Sequence, residues 1–350
     1  MRYDIISLGH ALEGGGAEES MRNLQYNVSS LFRFLRVGVF PSNVIAPEKS
    51  LLGDRIELLT SNRRNALSLF RAGVALRKLL LRHSPRIVLI NCEIAEILFS
   101  LFAPKSRAIL VHHISEKWAF SNHRIIFRVV RLILWFRSVK HVYVSNSLLS
   151  ESKDSNGIVL QNIYDYSRCA FFSGESSAPR LLFIGRLHEQ KRPEQVLRIG
   201  QALDCTVVFF GEGPLKENLV TQACNLNIDV EFKGFDNNLW MNTWDSDILI
   251  LPSKYEGKPM VISEALYRGL RVVTYSHSYL TSEYEGFPVH FADSLEGLIS
   301  MTNNILTVPQ VNQSEVIFLR NRLSEENSKN CIAWKEFLKE LMSENESQFT

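Results

Sequence analysis

Short apolar runs at residues 5–8, 87–90, 108–111 and 142–144 are bounded by turn residues, and the stretches between them, such as 66–81 and 125–136, place apolar positions at helical spacing. The alternation returns further along, with strand-like runs at 180–184, 206–210, 229–232, 248–251 and 271–274 and helical stretches at about 193–203, 214–226, 259–268 and 292–306. Continuous apolar strands alternating with helices predict βαβ units whose parallel sheets are covered on both faces. Between residues 162 and 179 the periodicity lapses and the segment closes on Ser-Gly-Glu-Ser-Ser-Ala-Pro, where a linker is expected. Residues 330–342 form an amphipathic helix, followed by a polar tail.

A chain of 350 residues suits two domains of about 150 residues each. No run reaches the roughly 18 apolar residues that cross a bilayer, and the N-terminus enters a strand rather than a secretory leader, so a cytoplasmic protein is expected. The cysteines (92, 169, 205, 224 and 331) are scattered without C-x-x-C spacing and read as reduced, mostly buried thiols. The charge is uneven. Residues 1–161 carry 22 Lys/Arg and 12 Asp/Glu (22 − 12 = +10), whereas 162–350 carry 17 and 25 (17 − 25 = −8). A basic half suits nucleic acid, an anionic membrane or a phosphorylated acceptor, and charge does not choose among them.

The ends of the apolar runs carry the chemistry, because ligands of parallel sheets bind at the C-terminal strand edge. The run ending at Ile184 gives Gly185-Arg186-Leu187-His188-Glu189-Gln190-Lys191, in which Gly185 admits close approach and Arg186 and Lys191 offer two cations to a diphosphate. The run ending at Phe210 gives Gly211-Glu212-Gly213-Pro214, a tight turn that is weak evidence alone. After Leu251 comes Pro252-Ser253-Lys254-Tyr255-Glu256-Gly257-Lys258-Pro259, with a helix beginning near Pro259. The amides of Met260 and Val261 then lack intrahelical acceptors at the positive end of the helix dipole, where a phosphate fits. Glu256 precedes the helix and can accept hydrogen bonds from sugar hydroxyls, while Glu264 lies over a turn further in and can take both hydroxyls of a ribose.

These stretches, GRLHEQK (185–191), FFGEGP (209–214), FKGF (232–235) and DSDILILPSKYEGKPMVISEALYRGLRVV (245–273), resemble the retaining GT-B glycosyltransferases of family 4, which share an E-x7-E motif. The resemblance implies that Arg186 and Lys191 grip the donor diphosphate, Glu256 meets the donor sugar and Glu264 holds the ribose. It also implies an α/β fold of two Rossmann-like domains facing an interdomain cleft. Residues 1–163, with about 330–350 crossing back as the last helix, would bind acceptor; residues 164–329 would bind the nucleotide sugar. Lys258-Pro259 departs from the family, where an aromatic residue followed by Gly or Pro is common, and this leaves the sugar open. Asp245-Ser246-Asp247 mimics a D-x-D metal motif but precedes a buried strand, and neither a metal nor another cofactor is implied.

In the first half, Gly9-His10-Ala11-Leu12-Glu13-Gly14-Gly15-Gly16-Ala17-Glu18 precedes a helical pattern beginning near Ser20 and does not fit G-x-G-x-x-G. It resembles the family's N-terminal motif, which implies that Gly15 and Gly16 lie near the donor phosphates. The run at 108–111 ends in His112-His113, and the resemblance favours His113 as the histidine near the reacting centre. Asn162 resembles an Asn of the segment leading into the linker and is given no catalytic role. Arg124, Arg128 and Arg131 recur at helical spacing beside Trp135 and Phe136, and Arg63, Arg64, Arg71, Arg77, Lys78 and Arg82 add to the positive field. The helix reads equally as membrane-lying or as buried with a basic stripe.

The expectation is transfer of a sugar from a nucleotide sugar, UDP by family frequency, to a glycan or polyprenyl-diphosphate-linked acceptor in bacterial surface polysaccharide synthesis. Peripheral contact with the inner face of the cytoplasmic membrane is expected from the basic half. Rival readings are a GT-B nucleotide-sugar epimerase and an inactive nucleotide-sugar-binding partner of another transferase. Nucleic-acid binding is disfavoured because the basic half lacks aromatic interleaving.

Overall fold

The computed structural model describes residues 2–12, 14–41, 54–58, 65–115, 124–169, 178–236, 238–308 and 311–344. The chain divides into two compact units, Met1–Ile163 with Asn327–Thr350, and Tyr164–Glu326.

The first unit runs β1 (Ile5–Gly9), α1 (Gly16–Val28), β2 (Phe34–Gly38), β3 (Asp54–Glu57), α2 (Ala66–His83), β4 (Ile87–Ile90), α3 (Glu93–Phe102), β5 (Ala108–His112), α4 (Arg124–Phe136), β6 (Lys140–Tyr143), α5 (Asn146–Ser152) and β7 (Ile158–Val159). Its strands form one sheet in the order β3-β2-β1-β4-β5-β6-β7, and the pairs are parallel. In β1, Ile5 pairs with Phe34 on one side and Ile87 on the other. Ile5, Leu89 and Val111 face one layer, with α1 and α5; Ile6, Leu8, Ile90 and Leu110 face the other, with α2, α3 and α4. Burial on both faces is why these strands are uninterrupted apolar runs.

The second unit runs β8 (Leu181–Ile184), α6 (Pro193–Leu203), β9 (Val207–Phe210), α7 (Lys216–Leu226), β10 (Val230–Gly234), β11 (Ile248–Leu251), α8 (Met260–Arg268), β12 (Arg271–Tyr275), α9 (Ser278–Glu283), β13 (Val289–Ala292) and α10 (Leu295–Leu306). Its parallel sheet has the order β10-β9-β8-β11-β12-β13. In both sheets the order reverses once, between β1 and β4 and between β8 and β11, and the loops leaving the strands there diverge to open a crevice. By that rule a ligand of the second sheet is expected at the switch point, where the loop after Ile184 and the loop after Leu251 begin.

Several elements differ from the sequence expectation. Strands β2, β3, β7 and β13 were not expected: β2 carries Arg36 within Phe34-Leu35-Arg36-Val37-Gly38, and the charge disguises a strand whose residues are all buried. Helix α1 starts at Gly16 rather than near Ser20, its entry masked by glycines of poor helix propensity. Helix α7 starts at Lys216, leaving Pro214 in the turn, and α10 starts at Leu295 behind the Ser294 cap. The closing helix α11 runs from Gln313 to Ser343 rather than from residue 330, because its first half is mostly polar. Within the expected linker, Tyr164 and Cys169 are buried and belong to the second unit. The five thiols are unpaired, but only Cys169 is fully buried, and Cys224 is exposed.

The end of α11 completes the core of the first unit. Trp334, Leu338 and Leu341 pack in one cluster with Leu24, Val28, Leu160 and Ile163, and the Trp334 indole N–H donates to Gln161 O at 2.9 Å. We expect Trp334→Ala to destabilise the first unit by about 3–5 kcal/mol, read as a lowered urea midpoint. An unchanged midpoint would contradict this packing.

Candidate functional site

The second unit's crevice is built on backbone contact between neighbouring loops. Gly185 N–H donates to Phe210 O at 2.9 Å, Leu187 N–H to Glu212 O at 3.0 Å and Leu215 N–H to Leu187 O at 3.1 Å. A Cβ on Gly211 would lie 2.0 Å from Gly185 O, and one on Gly213 would lie 2.3 Å from Leu187 O. Gly211, at φ +139°, and Gly213 are thus required by the chain beside them. At both positions the side a Cβ would occupy faces the loop of Gly185–Leu187.

Across the switch point the loops after β8 and β11 are fastened together. Lys254 N–H donates to Gln190 O at 2.8 Å, and the Gln190 amide donates to Tyr255 O at 3.2 Å. Lys191 Nζ donates to Glu256 Oε1 in a close ion pair, and Glu256 is buried. The sequence gave these two residues separate duties, and the structure places them against each other. Arg186 is exposed, and its guanidinium makes no hydrogen bond or ion pair among the described residues, so it presents a free cation at the same strand end.

Gly257 is buried beside Glu256, and Pro259 caps α8 in extended conformation (φ −67°, ψ 118°). Ile262 N–H bonds back to Pro259 O at 3.2 Å, leaving the Met260 and Val261 amides as the open donors of the first turn. Glu264, half-buried on the second turn, raises the thiol pKa of Cys169 and the phenol pKa of Tyr166 after the larger effect of their burial. Under this helix lies a feature the sequence reading missed. Tyr166 stacks on Tyr267 at 4.1 Å and on Tyr164 at 5.3 Å, while Ser263 Oγ lies 3.3 Å from the hydroxyls of both Tyr164 and Tyr284. Burial raises the Tyr284 phenol well above its ordinary value, so it stays a neutral hydrogen-bonding post.

Lys258 is also committed. Its ammonium lies 3.2 Å from Glu283 on α9, and both side chains are almost fully covered. Among the acids that mimic a metal motif, Asp247 is fully buried, takes two bonds from Arg180 (3.0 and 2.7 Å) and accepts from Trp244 N–H. Asp245 pairs with Arg268 at 2.5 Å. Both carboxylates hold arginines in place.

In the first unit, Gly15 caps α1 and Gly16 opens it, so both lie at a helix N-terminus that follows β1. Beneath them, Arg36 donates to Leu12 O at 2.9 Å and to Gln25 Oε1 at 2.8 Å, beside a cavity of about 20 Å³ whose lining includes Ser7, Gly9, Ala17 and Asn91. That is room for a water and no more. Asn162 accepts from Ser20 Oγ at 2.9 Å, and Asn23 donates to Ile163 O at 2.9 Å, so this segment is held by α1.

The two histidines at the end of β5, His112 within it and His113 just beyond, differ. His112 is buried and stacked on Tyr143 at 4.3 Å, with its pKa lowered by burial and then by Arg131. His113 is half-buried, and burial lowers its pKa to about 4. Asn91 at the end of β4, absent from the sequence reading, donates to Ser7 Oγ at 2.8 Å and to Leu8 O at 3.2 Å, which turns its Oδ1 toward His113 Nε2 at 3.5 Å. A carboxamide oxygen only accepts, so this contact assigns the proton of the neutral ring to Nε2 and leaves Nδ1 as an acceptor with no partner among the described residues. No single unit holds all the predicted residues: His113, Gly15 and Gly16 stand in the first and the rest in the second.

Residues 171–286 match the family described as "Glycosyl transferases group 1". The chain superposes on HepE of Anabaena, solved with UDP and glucose, at a TM-score of 0.74 and 15% identity, covering 98% of this chain and 100% of that one. It also superposes on WaaG, "a glycosyltransferase involved in lipopolysaccharide biosynthesis", at a TM-score of 0.65 and 14% identity, covering 95% of each chain. The fold is GT-B. A stretch of 125 residues is 33% identical to a Campylobacter jejuni α-1,4-N-acetyl-D-galactosaminyltransferase whose name gives a GalNAc-containing saccharide on diphosphoundecaprenol. That match covers 34% of this chain and 33% of the relative, so the chain spans about a third of the length of the curated relative it matches.

The low pKa of His113 fixes a sign. Between about pH 6.5 and 4 the unfolded chain holds a proton on this imidazole that the folded protein does not, so His113 contributes loss of stability as pH falls through that window. We expect its ring carbon resonances to stay those of neutral imidazole down to pH 5 and His113→Asn to flatten the acid limb of the stability profile. Titration near pH 6.5 would contradict the assignment.

Proposed function

We propose that the chain is a retaining, metal-independent glycosyltransferase of family 4, with Glu256–Glu264 as its E-x7-E motif, that moves a sugar from a nucleotide sugar onto a glycan or lipid-linked sugar. The observation that carries this reading is the Lys191–Glu256 pair held at the switch point beside the open amides of α8, with Arg186 uncommitted at the same edge. A diphosphate placed there meets the helix dipole and Arg186, and it competes with Glu256 for Lys191. Glu256, relieved of part of that pairing, turns its carboxylate to the hydroxyls of the donor sugar, and Glu264 takes the ribose. Gly185, Gly211 and Gly213 keep the backbone low enough for the nucleotide to lie across it, and Gly257, Lys258, Pro259, Met260 and Val261 form the wall around the phosphates.

No side chain among these is an obvious nucleophile on the sugar, which supports a front-face route. The bond from the anomeric carbon to the diphosphate oxygen breaks, and the acceptor hydroxyl attacks from the same face. Its proton passes to the departing diphosphate, whose growing charge Arg186 and Lys191 stabilise. His113, neutral with Nδ1 open, and the α1 start at Gly15 and Gly16 complete the first unit's share, at the donor sugar and the phosphates. The engagement of Asp245 and Asp247 by arginines supports a reaction without a metal on those carboxylates.

UDP is the proposed nucleotide, supported by the UDP and UDP-glucose complexes of HepE. A polyprenyl-diphosphate-linked acceptor in surface polysaccharide assembly is supported by the acceptor named for the Campylobacter relative. Residues 1–161 carry the excess of 10 positive charges that would bring the enzyme to an anionic inner membrane face. Among the described residues no helix is long and apolar enough to cross a membrane.

Glu256→Gln keeps the shape of the loop and removes the charge. We expect it to lower transfer by about 10²-fold or more, measured as UDP release with a lipid-linked acceptor, while circular dichroism stays native. Unaltered turnover would overturn the site assignment. Because Glu256→Ala leaves Lys191 facing a void, it should in addition lower the melting temperature.

A further inference from the structure

A second cavity of the second unit is lined by residues that the donor crevice does not use. It measures about 260 Å³, against about 20 Å³ for the water-sized cavity beneath α1, and Arg192, Lys254, Tyr275, Ser276, His277 and Asp293 line it. Arg192 precedes α6, Lys254 follows β11, Tyr275 ends β12 with Ser276 and His277 after it, and Asp293 follows β13. The volume lies just below the roughly 300–1,000 Å³ of pockets for drug-sized ligands, so it suits a ligand about the size of one phosphorylated sugar.

Part of the lining is fixed. Tyr275 is buried and its hydroxyl donates to Gln195 Oε1 at 2.7 Å, His277 Nε2 lies 3.0 Å from Ser253 O, and Ser276 N–H donates to Ala292 O at 2.8 Å. Asp293 is exposed and accepts a hydrogen bond from the Ser276 hydroxyl. The two cations are uncommitted. Arg192 stands over the Tyr275 ring at 5.6 Å, and among the described residues neither its guanidinium nor the Lys254 ammonium pairs with a carboxylate. Arg192 also holds a disfavoured backbone: at φ +50° and ψ 48° it lies in the left-handed region that a Cβ opposes. Ser84, Lys153, Asp204 and Asn227 share this conformation, but each closes a helix, where it is ordinary. A residue that opens a helix is normally extended, and Gly would adopt this turn freely. A long charged side chain kept in such a turn, at the rim of a cavity, points to a use for the charge.

We propose that this cavity is an effector site for a small sugar phosphate, with Arg192 and Lys254 taking the phosphate oxygens and Asp293 and the Ser276 hydroxyl taking sugar hydroxyls. An acid beside two cations disfavours a bare anion, which Asp293 repels, and favours a ligand whose hydroxyls donate to it. Arg192 directly follows Lys191, and Lys254 stands two residues before Glu256. A phosphate bridging the two cations therefore ties together the same loops that carry the donor pair. That purpose rests on the proposed function; the binding does not.

Phosphorus NMR titrations of the full chain with glucose 1-phosphate and with inorganic phosphate test it. We expect saturable binding of glucose 1-phosphate, about tenfold tighter than that of inorganic phosphate and weakened about tenfold or more by Arg192→Gly and by Lys254→Ala. Arg192→Gly should leave the melting temperature unchanged or raised, because Gly relieves the left-handed turn, whereas a merely structural arginine would lower it. Neither Arg186→Ala nor saturating UDP should weaken the sugar phosphate, since both act at the donor crevice. Absence of binding, undiminished binding by Arg192→Gly, or displacement of glucose 1-phosphate by UDP overturns the proposal, and equal affinity for inorganic phosphate overturns the assignment of a sugar. Glucose 1-phosphate held by a chain that binds no UDP would instead sink the nucleotide reading and leave this site standing.

Discussion

The second unit depends on a buried carboxylate that cannot stand alone. Glu256 is almost wholly covered, and a carboxylate in that position is stable only if a cation or several donors meet it. Lys191 meets it from the neighbouring strand's loop, and the bonds from Gln190 to Tyr255 and from Lys254 to Gln190 hold the two loops in register. A structure that merely needed stability would fill such a place with apolar residues, because a buried ion pair is a poor stabiliser. What the pair supplies is a charge on each side of a crevice that a ligand can repartition.

Everything around the pair serves to hold the loops at that spacing. The reversal of strand order between β8 and β11 sends the two loops apart at their roots, and the glycines at 211 and 213 let the next loop press against Gly185–Leu187 from the other side. The tyrosines under α8 fix the helix whose first amides face the crevice. Burial keeps Tyr284 protonated there. In the first unit the same logic runs through Asn91, whose two donated bonds leave one acceptor to orient His113.

Much of the fold was legible because parallel strands covered on both faces write themselves as apolar runs. Residues 87–90 and 248–251 are strands with the expected limits. The failures have physical causes. Strand β2 hides behind a buried Arg36 that is satisfied by Leu12 O and Gln25, partners no local pattern reveals. Helix α1 hides behind its own glycines, and the first half of α11 hides behind a polar sequence. At the site, the residue types at strand ends were readable, but their partnerships were not. That Lys191 would face Glu256, that Lys258 would be bound to Glu283, and that Gly211 would serve a neighbouring loop all depend on contacts between segments far apart in the chain. The role of α4 was open from sequence, since an amphipathic pattern does not say which face is inward; the structure turns Val130 and Leu134 in and Trp135 and Phe136 out.

The central claim, that the crevice beside Glu256 receives a nucleotide diphosphate, is tested most directly by calorimetric titration of UDP into the full chain and into Arg186→Ala. Arg186 is exposed and its guanidinium holds no other residue in place among the described residues, so its loss leaves the fold untouched while removing one cation from the diphosphate. The account predicts saturable binding weakened about tenfold or more by the substitution. Equal affinity in both proteins, or no binding of UDP and other nucleoside diphosphates to either, would contradict it.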